Sequence, residues 1–349
     1  MSDERPRGFG SDNHSGAHPE VLAAIAAAND GHAPAYGADP WTARARQLFR
    51  EHFGPDAEPF LLFNGTAANV LALRALARPG DAVICPATAH LNVDECGAPE
   101  AIAGVKLLAV ETVDGKLSPE LAASRIERLG DEHAAQPRAI SVSQASERGT
   151  VYRPEELRAL SELAHQHGLL LHVDGARLAN AAASLELGLR DLTTDAGVDV
   201  LSLGGTKNGL LAGDAVVFLR PELGERFEFV RKQGMQLASK MRFLATQFEA
   251  LLDGDLWLRN ARHANDMARR LGGALEGIDG VELSQAVQSN AVFATMPPTA
   301  IPRLQAELPG ELPFHVWDPE RSEIRLMCSW DTTAEDVDRL VAAVESSLS

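Results

Sequence analysis

Short apolar runs alternate along the chain with amphipathic stretches. FLLF at 60–63, AVIC at 82–85, LLAV at 107–110, AISV at 139–142, LLLHV at 169–173, VDVLSL at 198–203 and AVVFL at 215–219 read as buried strands. Helical stretches lie between many of them, such as 66–77 and 155–167. Strands this apolar, separated by helices, predict an α/β fold with a mostly parallel sheet flanked by helices on both faces. Ligands of such sheets bind beyond the carboxyl ends of the strands, so the loops that follow these runs are where chemistry is expected. From about 222 to 275 the pattern turns helical, with Phe227, Val230, Met235 and Leu237, then Met241, Leu244, Phe248 and Leu251, as its apolar positions. Two further strands, 290–295 and 323–330, are each followed by a helical stretch and predict a smaller C-terminal α+β domain. The expected division is a flexible N-terminal arm at 1–10, a large domain at 11–254 and a small one at 255–349.

Composition narrows the function. The 349 residues carry 32 Lys plus Arg against 49 Asp plus Glu, a formal charge of -17, and only five of the cations are lysines. That balance argues against a nucleic-acid partner, which needs a basic face, but leaves room for a small cationic pocket. No apolar run approaches the roughly 20 residues that span a bilayer, and no membrane association is expected. The opening residues lack the apolar core of a secretory signal. Cys85, Cys96 and Cys328 are sparse and lack metal-ligand spacing. No disulfide and no metal site are expected, and the cytoplasm is the expected compartment.

Four loops carry candidate chemistry. In VLSLGGTKNG, 200–209, a strand runs into Gly204 and Gly205 and then Lys207. Glycines allow close backbone approach to a ligand, and a lysine with a lowered pKa can form a Schiff base; the plain alternative is a surface turn. In LLLHVDGAR, 169–177, Asp174 follows a strand too apolar for the surface, so its carboxylate must be paired. It either caps the next helix or faces a protonated ring nitrogen, the arrangement that makes pyridoxal phosphate an electron sink. FLLFNGTAAN, 60–69, offers Gly65, Thr66 and a helix N-terminus as a phosphate cradle, with Thr66 as a simple N-cap the competing reading. His90, in the loop after 82–85, is placed either to stack on a flat ring or merely to be solvated.

These pieces resemble the fold-type I pyridoxal phosphate enzymes, and within them the L-threonine aldolases of the β-eliminating lyase group. The resemblance runs in order through SDN at 11–13, YGADP at 36–40, NGTAAN at 64–69, AHLNVDE at 89–95, HVDGAR at 172–177, GGTKNG at 204–209, SKMRF at 239–243 and IRLMCS at 324–329. It implies the fold-type I transferase-like architecture, with the cofactor, pyridoxal 5′-phosphate, in the large domain. Lys207 matches the Schiff-base lysine, Asp174 the partner of the pyridine nitrogen, and Arg177 the arginine on the phenolic oxygen. Gly65 and Thr66 match the phosphate turn, and His90 the ring-stacking histidine. Ser11, Arg325 and, with a less defined role, Tyr36 match substrate-side groups. Arg242 resembles an arginine that reaches the cofactor phosphate from a neighbouring subunit.

The implied activity is cleavage of a β-hydroxy-α-amino acid, such as threonine, allo-threonine or phenylserine, to glycine and an aldehyde. The implied assembly is a homotetramer with sites at dimer interfaces. One position departs from the family pattern. Many relatives carry a second histidine in an Asn-Thr-His-Asn stretch, where SQASERGTVY here, aligned on Gly149, puts Glu147. His90 and then Glu147 are the candidates for the base. Two alternatives stay open: a β-eliminating lyase releasing pyruvate and ammonia, and a non-catalytic scaffold of the same fold.

Overall fold

In the computed structural model, which describes residues 7–308 and 314–349, seven strands form the central sheet. They are β1 (Glu58–Leu62), β2 (Asp81–Pro86), β3 (Lys106–Val110), β4 (Gln136–Ser143), β5 (Leu170–Gly175), β6 (Val200–Gly204) and β7 (Asp214–Phe218). Their spatial order is β1-β7-β6-β5-β4-β2-β3. The five strands from β3 to β6 run parallel, whereas β7 and β1 run antiparallel to their neighbours. Each of the seven apolar runs thus overlaps a strand, and the mostly parallel α/β fold is as expected.

Strand alternation sorts side chains onto two cores. Leu61, Leu171, Val173, Leu201, Leu203 and Val217 join one core with the helices Pro40–Phe53, Pro154–Gln166, Leu178–Leu185 and Arg242–Leu252. Leu62, Leu170, Val200, Val216 and Phe218 join the other, beneath the helices Gly65–Leu76 and Phe227–Gln233. This second face changes character at the carboxyl ends of the parallel strands. There Ser143, Asp174 and Ser202 stand in register across β4, β5 and β6, with Asp214 of β7 opposite Gly204. The polar set therefore faces the helix Gly65–Leu76.

The stretch expected to be helical from 222 to 275 is broken. It holds Phe227–Gln233, Arg242–Leu252 and Leu256–Leu275. Gly234 packs so close to the Leu71 side chain that a Cβ would lie 2.5 Å from it, and Met235 takes a positive φ of 61°. The C-terminal sheet has four antiparallel strands in the order β10-β11-β9-β8: β8 (Glu282–Leu283), β9 (Ala291–Thr295), β10 (His315–Asp318) and β11 (Glu323–Met327). Only β9 and β11 are evident in the sequence. The helices Leu256–Leu275 and Ala334–Leu348 cover this sheet.

Of the expected N-terminal arm, residues 1–6 lie outside the described residues. Phe9 is buried in the C-terminal core, and its carbonyl accepts the Met327 amide at 2.8 Å. Among the described residues no helix is long and apolar enough to cross a membrane.

Candidate active site

The polar end of the sheet opens into a cavity of about 300 Å³. Its walls include Gly65, Thr66, His90, Glu147, Asp174, Arg177 and Lys207, so seven of the residues singled out in the sequence meet in one place.

The Gly65–Leu76 helix brings its N-terminus to this cavity. Its N-cap is Asn64, whose side chain accepts the Ala67 amide at 2.9 Å. Thr66 is therefore not the cap, and its hydroxyl remains available at the wall. One turn further in, Asn69 donates from Nδ2 to Asp174 Oδ2 at 2.8 Å and to Glu95 Oε1 at 2.9 Å. The other oxygen of Asp174 accepts the Ala176 amide at 2.9 Å. Asp174 thus ties down the turn after β5 and presents a carboxylate to the cavity. It does not cap the helix Leu178–Leu185, which has no side-chain cap.

Lys207 sits in a single turn of 3-10 helix after β6. The glycines before it serve the protein's own packing: a Cβ on Gly204 would lie 2.7 Å from the Ala176 backbone, and one on Gly205 2.6 Å from the Gly213 carbonyl. Close approach of chain to chain, rather than of chain to ligand, explains both. Burial, reinforced by the nearby Arg177, holds the Lys207 amine below the ordinary lysine range, against the pull of Asp12, Asp174 and Asp214. A larger neutral fraction makes it a better nucleophile toward a carbonyl carbon. Asp214, across from it, accepts the Gly205 amide at 3.0 Å. Burial pushes its carboxyl up to about 6.

His90 and Glu147 form a second wall. Glu147 Oε1 accepts the His90 amide at 3.0 Å and the Ser143 hydroxyl at 2.5 Å, while Oε2 is buried without a protein partner. Burial raises the Glu147 carboxyl above its usual range. His90 Nδ1 lies 2.9 Å from Glu95 Oε1, and that hydrogen bond is the main cause holding the imidazole above its ordinary range.

Taken together the cavity offers an exposed helix N-terminus, a carboxylate, a softened amine and an imidazole. A model of the family described as beta-eliminating lyase matches residues 8–297. The chain belongs to the beta-eliminating lyase family. A low specificity L-threonine aldolase of Pseudomonas aeruginosa is 48% identical over 333 residues, 95% of each chain. One of a Pseudomonas species is 45% identical over 350 residues and the full length of both. A solved Leishmania major threonine aldolase superposes with a TM-score of 0.92 at 31% identity, over 99% of this chain and 100% of that one. The fold is accordingly fold-type I, with its small C-terminal antiparallel sheet.

Four sequence candidates stand outside the cavity wall of this family member. Ser11 caps a short turn by accepting the Asn13 amide at 3.1 Å. Arg325 stacks on Trp317 with 5.1 Å to the ring centroid, and donates to the Gly10 carbonyl at 3.4 Å. Tyr36 is 55% exposed beneath the Lys232 ammonium. Arg242 lies over Trp41 and Phe243, and donates to the Gly31 carbonyl at 3.2 Å.

Asp12, the partner of the cavity-wall Arg177, is a residue that sequence reasoning passed over. Its buried carboxylate receives Arg177 in a two-point pair, 2.7 Å to Nε and 2.9 Å to Nη2, and also the Asn290 amide at 3.1 Å. Burial works to raise its pKa, but Arg177 and Lys207 outweigh it and hold the carboxyl below its usual range. Asn69 and Glu95 were passed over too. Both lie inside quoted motifs, NGTAAN and AHLNVDE; the polarity of Asn69 in a helix of small and apolar residues was an available signal, whereas Glu95 sits among other polar residues.

Proposed function

We propose that the chain is a pyridoxal 5′-phosphate-dependent aldolase of low specificity. Its substrates on this reading are L-threonine, L-allo-threonine and related β-hydroxy-α-amino acids, phenylserine-like ones included, and its products glycine and an aldehyde. The observation that carries the reading is that Lys207 and Asp174 line one cavity with Gly65 and Thr66, at the start of the helix that Asn64 caps. The full-length likeness to proteins named low specificity L-threonine aldolase supports the substrate class.

The residues fit the cofactor. The Gly65 and Thr66 amides and the Thr66 hydroxyl suit a phosphate dianion at a helix N-terminus. Lys207 suits an aldehyde carbon, Asp174 a pyridinium nitrogen, and Arg177 a phenolic oxygen. When bound, the group supplies an electron sink for the pair released as the Cα–Cβ bond breaks.

The remaining work belongs to the chain. Arg325 and Ser11 hold the substrate carboxylate, a task for which a planar guanidinium is suited. Tyr36 borders the substrate, and Arg242 serves the phosphate of a neighbouring subunit. His90, directly or through water, takes the β-hydroxyl proton, with Glu147 the second candidate for that base. On this reading the protein works as a cytoplasmic homotetramer. Exposed Phe229 and Met235 on the segment before Arg242, and Tyr36 on the loop whose amide meets the Ser239 carbonyl, give such an assembly apolar surface to bury.

The test offers threonine, allo-threonine and phenylserine to purified holoenzyme and identifies the products. Glycine with acetaldehyde or benzaldehyde is expected, and Lys207→Ala is expected to abolish both turnover and near-visible absorbance. Pyruvate with ammonia would instead identify an elimination.

A further inference from the structure

His90 has two ring nitrogens with different surroundings. Nδ1 meets Glu95 at 2.9 Å, whereas Nε2 has no hydrogen-bond partner among the described residues. Glu95 comes from five residues further along the same loop, and its side chain is fully buried. Its Oε1 also accepts from Asn69 Nδ2 at 2.9 Å, and Oε2 has no protein partner.

The orientation of Asn69 is enforced by charge. Its Nδ2 sits between two carboxylate oxygens, of Glu95 and Asp174. The flipped amide would point its carbonyl oxygen at both, with no hydrogen to offer either. Glu95 Oε1 is therefore an acceptor toward Asn69, and the remaining short contact is satisfied when Nδ1 carries the hydrogen. A histidine whose Nδ1 donates to a carboxylate keeps its other nitrogen as the basic one.

We propose that Glu95, held by Asn69, is a positioning residue that fixes His90 as the Nδ1–H tautomer and leaves Nε2 as the free base at the cavity. The inference deepens the aldolase reading and rests on it for the identity of the proton taken, the substrate β-hydroxyl proton. The bridge also runs from His90 through Glu95 and Asn69 to Asp174, so one amide ties the base to the electron-sink carboxylate. The other charged groups facing the imidazole are Asp174 of β5, Lys207 after β6 and Glu147, which binds the His90 amide. Asp174 and Glu95 favour the protonated ring and Lys207 opposes it.

The test is long-range ¹H–¹⁵N correlation on ¹⁵N-histidine-labelled holoenzyme, with His90→Asn used to assign the His90 signals. Wild type is expected to show the Nδ1–H tautomer. In Glu95→Gln the His90 titration is expected to fall by about one pH unit or more. Loss of a partner of this kind costs about 10- to 100-fold in turnover. The drop is expected in kcat, with the acidic limb of the pH profile moving to lower pH alongside the histidine, while KM and cofactor absorbance stay as in wild type. Glu95→Asp is expected to recover part of the titration shift.

An Nε2–H tautomer in wild type overturns the proposal, as does a Glu95→Gln protein whose His90 titrates unchanged. Should Glu95→Gln fold poorly, the wild-type tautomer decides alone. A protein that shows Nδ1–H yet cleaves no β-hydroxy amino acid keeps the positioning role and loses the aldolase reading.

Discussion

Asp214 occupies the first position of β7, opposite Gly204, with the Gly205 amide 3.0 Å from one oxygen and the Thr206 hydroxyl 3.3 Å from the other. Burial outweighs these donors and Lys207, raising its carboxyl from 3.8 to about 6. The folded chain therefore binds this proton more tightly than the unfolded chain, and stability falls as pH rises through that window. The shift corresponds to a cost of about 3 kcal/mol above pH 6. Asn at this position keeps an acceptor for Gly205 and carries no charge. Asp214→Asn is expected to melt higher than wild type at pH 7.5 in the cofactor-free protein, with the gain shrinking toward pH 4. Equal melting temperatures at pH 7.5 would rule the account out. Nothing in LAGDAVVF marks Asp214 as a site residue, because its role depends on an antiparallel pairing with β6. Lys207 and Asp174 were legible for the opposite reason. Asp174 ends the apolar run of β5 and Lys207 comes three residues after β6, and the parallel sheet brings these strand ends to one side.

Register across the strands explains what local patterns leave out. LLLHV reads as one apolar run, yet its histidine lies on the face that carries Asp174 and is wholly buried. His172 Nδ1 meets Ser141 Oγ of β4 at 2.9 Å, and Nε2 meets Ser202 Oγ of β6 at the same distance. Burial lowers its pKa from 6.5 to about 4. As pH falls through that interval the unfolded chain takes up a proton that the folded chain refuses. His172 therefore contributes stability that is present above pH 6.5 and lost toward pH 4, about 3 kcal/mol in all. His172→Gln retains hydrogen bonding to one or both serines. Its urea midpoint between pH 6.5 and 4 is expected to fall less steeply than that of wild type. An acid limb as steep in the variant would show that other groups carry it. The other elements missed at this scale have simple causes: β8 is two residues long, and β10 is four, too short for an alternation to register.

At the scale of the whole molecule, a part-buried ion pair beside the candidate site ties the loop after β4 to the C-terminal sheet. Arg148, adjacent to Glu147 in the loop after β4, donates to Glu323 at the start of β11 at 2.9 Å, with its guanidinium over the Phe293 ring. Glu323 is completely buried. The pattern of strands and helices along the sequence predicts a large and a smaller C-terminal domain but cannot predict this contact, because its partners lie 175 residues apart. Removing one member leaves a buried charge unpaired, which typically costs 3–5 kcal/mol. Glu323→Ala is expected to lower the melting temperature by several degrees. Arg325, two residues along the same strand, should shift with it, so KM for the amino acid is expected to rise more than kcat falls. A buried pair exchanged for apolar side chains of similar volume is often neutral. The double variant Arg148→Met, Glu323→Leu should therefore regain most of the lost melting temperature. If the pair matters only for docking the sheets, KM recovers in the double variant too. If KM stays high while stability returns, the charges themselves help to place Arg325, and the link between domain contact and substrate binding is electrostatic.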